Sequence, residues 1–358
     1  MGTTTTSMTN STLYYKAVGS IVIYFTTVIS ALVMCIVRTG RVSASNVFYI
    51  LIAISSLLTT WYYILSWFKL EYETLGSDLE RFIIESDLFV QAYAIVTNTL
   101  PKWWWSSQLL LLTGTALTCW SVEGQSLRLQ IAKSKMEQNK RDALPVKKWT
   151  PTWWFVLLGF FGSMSVGGPL FLAQLDPVPK KQSQVRSVPT LLALLILLGE
   201  ASVIATPFLP TMSTSFKYNL VLTHALFLIP SLLTFNPDTR KRFLTVSLPA
   251  LYFILAAIAL VNHTMYTLPF VLSPIMNSSI LYKALWFNHC QTSISADLIF
   301  NNVLAAAYIL QSSHQLKRLE MGIILTLAMP LLSVSTILPL YLGWKERVLV
   351  AEGEAKTK

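Results

Sequence analysis

The sequence predicts an all-α, multi-pass transmembrane helix bundle of about 8–10 spans, one or two of them re-entrant or interfacial. Three observations predict it. Hydrophobic residues make up 53% of the 358 residues. Charged residues make up 12%, against about 25% in a soluble domain. The charges cluster between apolar runs of about 20 residues, the length that crosses a hydrocarbon core of about 30 Å.

The runs are read in order. Ala17–Val37 follows a Thr/Ser-rich segment and is uncharged, and Asn46–Phe68 is aromatic-rich and uncharged. Trp103–Val122 opens on Trp103-Trp104-Trp105, the mark of an interfacial belt. Thr152–Leu172, Val188–Phe208, Tyr218–Phe235, Phe243–Val261, Ser293–Leu310 and Gly322–Leu342 are each long enough for one crossing. Two stretches are ambiguous. Phe82–Asn98 carries Glu85 and Asp87, and Tyr266–Ile280 carries Pro269 and Pro274; either suits a re-entrant or interfacial helix. The expected organisation is a lumenal or disordered N-terminus at 1–16, one transmembrane domain at 17–344 and a polar tail at 345–358. No internal repeat is evident by eye.

The net charge of +10 would suggest nucleic acid in a soluble chain. Here the basic residues sit in connecting loops, as the positive-inside bias requires, and no basic stripe with interleaved aromatics occurs. Arg128, Lys133, Lys135, Lys140, Arg141, Lys147 and Lys148 place the loop 123–150 in the cytosol. If Phe82–Asn98 does not cross, the amino terminus is lumenal and the Asn10-Ser11-Thr12 sequon falls on the glycosylating side. Counting each run as one crossing puts Arg240-Lys241-Arg242 and Lys317-Arg318 on the opposite side, so one half-span must be miscounted or the bias fails there. Cys35, Cys119 and Cys290 are odd in number and widely spaced, which reads as buried thiols. The first 16 residues lack the basic and cleavable pattern of a signal peptide, so the first span is expected to act as an uncleaved anchor.

Ionisable groups within spans are costly and face an interior cavity. Glu80, Asp87, Gln91 and Asn98 fall at helical spacing, which would make one polar stripe. Gln108, Thr115 and Cys119 share a face that leads on to Glu123. Glu200 lies deep in its span with no cation within a turn. A neutral carboxylic acid in an apolar cavity is a proton donor. Asp297, Asn301 and Tyr308 share a face, with Asn302 beside it and Trp286 just upstream. His224, His263 and His314 are isolated and are expected to fill core or interface roles. No metal site, bound cofactor, aspartate-rich diphosphate motif, P-loop, dinucleotide turn or nucleophile elbow is expected.

The stretch Ser86–Tyr93 (SDLFVQAY), with Trp103–Leu111 (WWWSSQLLL), resembles fungal integral-membrane terpene cyclases of meroterpenoid pathways of the ascochlorin, ascofuranone and macrophorin type. The specific resemblance covers roughly 40 residues, through Glu123. It implies a metal-independent isomerase of the endoplasmic reticulum that protonates an alkene or epoxide on a prenylated, farnesyl-aromatic substrate and cyclises it through carbocations. Such chemistry needs a desolvated acid, aromatic faces for the cation and a dry pocket. The residues offered for these tasks are Asp87, Glu200 and Asp297, with Glu85 and Glu123 in reserve, as acids. Gln91, Asn301 and Asn302 would orient them. Trp104, Trp105, Trp120 and Trp286 would stabilise cations, with Gln108 on the pocket wall. The principal acids are expected to converge on one closed apolar pocket. Two other readings use the same residues. A lipid or small-molecule carrier would couple protons through the buried acids and would show pseudo-symmetric halves. A receptor-like sensor fits poorly with about nine spans and no lumenal disulfide.

Overall fold

In hydrocarbon every backbone N–H and C=O must find a partner within the protein, and this chain meets the requirement with helices. The computed structural model describes residues 4–38, 44–138, 151–175, 184–237, 244–272 and 278–354. Lys140, Arg141, Lys147, Lys148, Arg240-Lys241-Arg242 and Pro274 lie outside them. The elements are α1 (Thr4–Arg38), α2 (Ala44–Thr74), α3 (Leu79–Glu85), α4 (Leu88–Thr97), α5 (Leu100–Gln138), α6 (Thr152–Phe161), α7 (Met164–Leu172), β1 (Ser187–Pro189), α8 (Thr190–Ala205), α9 (Thr214–Leu232), β2 (Thr245–Ser247), α10 (Leu248–Val271), α11 (Ser278–Trp286), α12 (His289–Gln315), α13 (Leu319–Leu332) and α14 (Val334–Glu354). The protein is an all-α multi-pass membrane bundle. Among the described residues five helices, α1, α2, α8, α10 and α12, are long and apolar enough to cross a membrane. Large apolar side chains of α1, including Val22, Ile23 and Val33, are exposed on the outside of the bundle, as the lipid-facing side of a span requires.

The structure departs from the sequence expectation at two runs. Thr152–Leu172 is a helical hairpin. α6 and α7 have 10 and 9 residues, about 15 Å and 14 Å of helix, each half the thickness of the hydrocarbon core. They run antiparallel. Phe155 packs on Phe171 with ring centroids 5.5 Å apart, and Gly167 lies so close to the Phe155 carbonyl that a Cβ there would sit 2.8 Å from the oxygen. Thr152 and Phe171, at opposite ends of the segment, both pack beside Gly124. The hairpin therefore enters and leaves on the same side. Gly322–Leu342 is also a hairpin, α13–α14, broken at Ser333 (φ 72°).

These hairpins resolve the topology. At one face Asn46 Nδ2 donates to the Ala173 carbonyl (2.8 Å), Gln125 Nε2 to the Leu233 carbonyl (2.9 Å), and Arg186 reaches both Glu123 and Glu346. The antiparallel β1–β2 pair, register Ser187↔Ser247 and Val188↔Val246, lies at the same face. Helix ends flanking every basic segment, including 139–150, 238–243 and Lys317-Arg318, gather there. At the opposite face Lys217 pairs with Asp87 and Tyr63 stacks on His289 (6.2 Å). Counting these two runs as returning puts Lys317-Arg318 on the same side as Arg128, the arrangement the positive-inside bias expects. The run Phe82–Asn98 is split at Ser86-Asp87 into α3 and α4, and Tyr266–Ile280 is divided between the end of α10 and the start of α11.

The hairpins also reveal an internal repeat. Ser163-Met164-Ser165-Val166-Gly167-Gly168-Pro169-Leu170-Phe171-Leu172 and Ser333-Val334-Ser335-Thr336-Ile337-Leu338-Pro339-Leu340-Tyr341-Leu342 share both serines, the proline and two leucines, with Phe171 matched by Tyr341. In each, the two serine hydroxyls bond one another, at 2.9 Å and 2.7 Å. The packing repeats too. α2 lies against α7 and α12, while α10 lies against α14 and α5; α4 touches α12 as α11 touches α5. Since α2 and α10 both start at the basic face, the two units are parallel repeats, related by an axis along the membrane normal. A signature of ten residues inside two otherwise divergent units escapes inspection of the sequence. α1 begins at Thr4, within the segment expected to precede the first span, and α14 runs on to Glu354, well into the expected tail.

We expect single cysteines replacing Arg128, Thr234 and Lys317 in a cysteine-free background to react with an impermeant maleimide from one side of sealed vesicles. Cysteines replacing Ser77 and Thr214 should react from the other. Labelling of Thr234→Cys and Arg128→Cys from opposite sides would rule out the returning hairpin.

Candidate functional site

A cavity of about 190 Å³ lies between α2, α4, α5, α9, α12 and the tip of the α6–α7 hairpin. Its lining is mostly apolar and aromatic, with Trp67, Phe68, Phe89, Phe160, Phe161 and Phe227 among the walls. Among the described residues, Asp297 is the carboxyl group on the lining and His224 the basic side chain.

Asp297 is placed by the broken hairpin. The α6 helix ends at Gly162 and α7 starts after Ser163, whose backbone is extended (φ −177°, ψ 140°). A helix start leaves N–H groups without intrahelical partners, and at this depth no water is present to take them. Asp297 takes them instead. Met164 N–H donates to Oδ2 (3.2 Å) and Ser165 N–H to Oδ1 (2.8 Å). Asn301, one turn on along α12, donates from Nδ2 to Oδ1 (2.9 Å). Ser165 and Ser56 of α2 share a short hydroxyl contact, which ties the hairpin tip to α2. The carboxyl group is therefore fixed by three N–H donors on a cavity wall.

His224 stands on α9. Its Nδ1 lies 2.7 Å from the Leu220 carbonyl, an acceptor. Nδ1 must then carry the proton, which leaves Nε2 with the lone pair. Tyr93 of α4 lies 3.2 Å from Nε2 and donates to it. The ring of Phe160 meets the imidazole edge-on at 5.3 Å. Both Tyr93 and His224 line the cavity.

Glu200 is buried (1% exposed) but is absent from the cavity lining; Val203, one turn on, reaches it. Its carboxyl group packs against Gly114 of α5, where an added Cβ would sit 1.9 Å from Oε1. Neither oxygen has a hydrogen-bond partner of normal geometry among the described residues. Gly114 is what lets α5 and α8 meet with this carboxyl between them.

Glu123 belongs to a separate cluster at the basic face. Arg186, just before β1, bonds Glu346 bidentately through Nε (3.0 Å) and Nη2 (2.5 Å), and Nη2 also reaches Glu123 (2.7 Å). Burial by itself would lower the Arg186 guanidinium pKa, but the two carboxylates outweigh it and push it up. Lys345 donates to Tyr308 Oη (2.8 Å). The cluster fastens α5, α12, α14 and the β1–β2 pair together.

The expected convergence of Asp87, Glu200 and Asp297 on one pocket is not what the structure shows. Asp87 is half-exposed at the N-terminus of α4, in an ion pair with Lys217. Glu85 is paired with Arg81 on α3, also exposed (2.9 Å). The stripe Glu80–Asp87–Gln91–Asn98 does not form, because the helix breaks before Asp87 and Asn98 is the cap of α4. Trp104, Trp105, Trp120 and Trp286 also lie off the cavity lining. Trp104 Nε1 donates to Thr267 and Trp105 Nε1 to Ser295, both at 2.8 Å, so they cross-link α5 to α10 and α12. Trp120 is buried against Phe171 (5.7 Å) in the hairpin, and Trp286 ends α11. Gln108 donates to the Trp104 carbonyl (3.3 Å) and Asn302 to that of Leu298 (2.8 Å). Gln91 is on α4, its Oε1 buried without a partner. Cys35, Cys119 and Cys290 are buried thiols, as expected.

Sequence reading missed Tyr93, the His224 pairing, Arg186, Lys345 and Glu346. The Gly162-Ser163 pair was a legible breaker signal inside an apolar run. The Arg186 partners lie 63 and 160 residues away, beyond any local pattern.

We expect Arg186→Met to destabilise the protein by about 3–5 kcal/mol, since it strands two buried carboxylates. Adding Glu346→Gln should restore part of that loss. Thermal midpoints in detergent measure both, and an unchanged midpoint for Arg186→Met would show that the cluster does not fasten the bundle.

A family described as "Protein of unknown function DUF2834" matches residues 251–347. That segment runs from the first turn of α10 into α14, the second of the two repeats. No curated protein and no solved structure matches the chain.

Proposed function

We propose that this protein is a metal-independent terpene cyclase embedded in the endoplasmic reticulum membrane. It would act on a lipophilic prenylated substrate of the farnesyl-aromatic class, in fungal meroterpenoid biosynthesis. The observation that carries the reading is a single carboxyl group, Asp297, fixed on the wall of an aromatic-lined cavity within the bundle.

The chemistry follows from that placement. A protonated Asp297 gives its proton to a terminal alkene or epoxide of the prenyl chain. The carboxylate left behind is stabilised by Met164 N–H, Ser165 N–H and Asn301 Nδ2, donors already in position, so little reorganisation accompanies proton transfer. Internal alkenes then close the rings, and the faces of nearby aromatic residues steady the carbocations. An apolar lining keeps water from quenching them. The residues at the surface, Asp87 and Glu85, and those in the ionic cluster, Glu123 among them, take no part in this scheme.

A second reading, a carrier for lipids or small molecules, is favoured by one observation. Parallel repeats with broken helices recur in membrane transporters, and both occur here. The two readings separate chemically. Membranes containing the protein, supplied with a farnesylated phenol or its terminal epoxide and EDTA, should form a cyclic isomer of unchanged mass. Asp297→Asn should lower that rate about 100-fold or more. A comparable loss in Glu200→Gln with Asp297→Asn active would move the donor role to Glu200. Uptake of unchanged substrate into sealed vesicles, with no isomer formed, would establish the carrier instead.

A further inference from the structure

We propose that Tyr93 and His224 form the proton-accepting end of the cavity and terminate the cyclisation; the inference rests on the reading of the protein as a cyclase. A cyclase that starts by protonation must finish by losing a proton, and a base apart from Asp297 can take it where the ring system ends, away from the donor. Tyr93 and His224 sit on α4 and α9, whereas Asp297 sits on α12, and all three line the same cavity.

The hydrogen-bond chain fixes the direction of transfer. The Leu220 carbonyl holds the proton on Nδ1, so Nε2 is an acceptor and Tyr93 must point its proton at it. The Tyr93 oxygen then keeps a lone pair free for an incoming proton. In the final step a C–H bond next to the cationic carbon breaks and its electron pair becomes the ring alkene. That proton passes to Tyr93 Oη while the Tyr93 proton passes to His224 Nε2. Asp297 has given one proton to the substrate and the pair has taken one, so the product is an isomer of the substrate and no oxidant or reductant is needed. The imidazolium later releases its proton to solvent, and Asp297 regains one before the next turnover. The pair is placed for this by local structure. Tyr93 is half-way along a ten-residue helix whose neighbours Leu88 and Val96 are buried, and the imidazole is wedged against Phe160.

The test uses Tyr93→Phe and His224→Gln in the full chain, in membranes supplied with the same farnesylated phenol and its epoxide. Both variants should still consume substrate, at a rate reduced less than tenfold, but with an altered product spectrum. The wild-type cyclic alkene should give way to alkene regioisomers or to an alcohol heavier by one water, as stranded cations are quenched otherwise. Tyr93→Phe keeps the ring and its packing, so it guards against a folding defect in His224→Gln. An unchanged product ratio in both variants, or a uniform loss of every product with a lowered thermal midpoint, would overturn the inference and leave the cyclase reading standing. Absence of any cyclic isomer from the wild-type protein would overturn the cyclase reading itself.

Discussion

The structure turns on how the backbone is satisfied where the helix breaks inside the membrane. Between Leu158 and Gly167 the chain reverses direction in the buried interior of the bundle. Gly162 and Ser163 return their N–H groups to the Leu158 carbonyl, Val166 and Gly167 give theirs to Ser163, and Asp297 takes the two that remain. An unsatisfied N–H in hydrocarbon costs several kcal/mol, so without Asp297 the hairpin tip would have no stable position. The same carboxyl group becomes part of the cavity wall, so one interaction both caps the break and places a carboxyl group on the cavity.

The second hairpin solves the same problem with less. Ser333 accepts from Ser335 N–H through its own hydroxyl (3.3 Å) and from Thr336 and Ile337 through its carbonyl. It does so with φ at +72°, a conformation that costs a non-glycine residue about 1–3 kcal/mol. His263 meets the Leu331 carbonyl at 3.1 Å. The two similar units thus differ at the tip. The first tip is capped by a carboxylate from α12 beside a cavity, while the second caps itself and carries the ionic cluster at its far end.

Charges in this bundle are handled according to depth. At the basic face Arg186, Glu123 and Glu346 neutralise one another with near-ideal geometry, as buried ions must. At the other face the ion pairs of Asp87 and Glu85 are exposed and contribute little to stability. Between the faces Asp297 is surrounded by donors, and Glu200 is enclosed against Gly114. The sites with chemical potential are the two in the middle, and the cavity distinguishes them, because Asp297 opens onto it and Glu200 does not.

The sequence by itself determined the membrane bundle, since run length and the exclusion of charge follow directly from the thickness and polarity of the bilayer. It also determined the helical stripe that carries Asp297 and Asn301, because spacing along one helix is a local property. Only the tertiary structure decided that Thr152–Leu172 and Gly322–Leu342 turn back, since ten apolar residues read alike whether they continue or return. It alone brought Tyr93 to His224 and Arg186 to Glu346, pairings set by the packing of helices more than a hundred residues apart. It alone separated Asp87 and Glu85 from the interior, because an acid at the start of a short helix and one deep in a span differ in depth rather than in sequence.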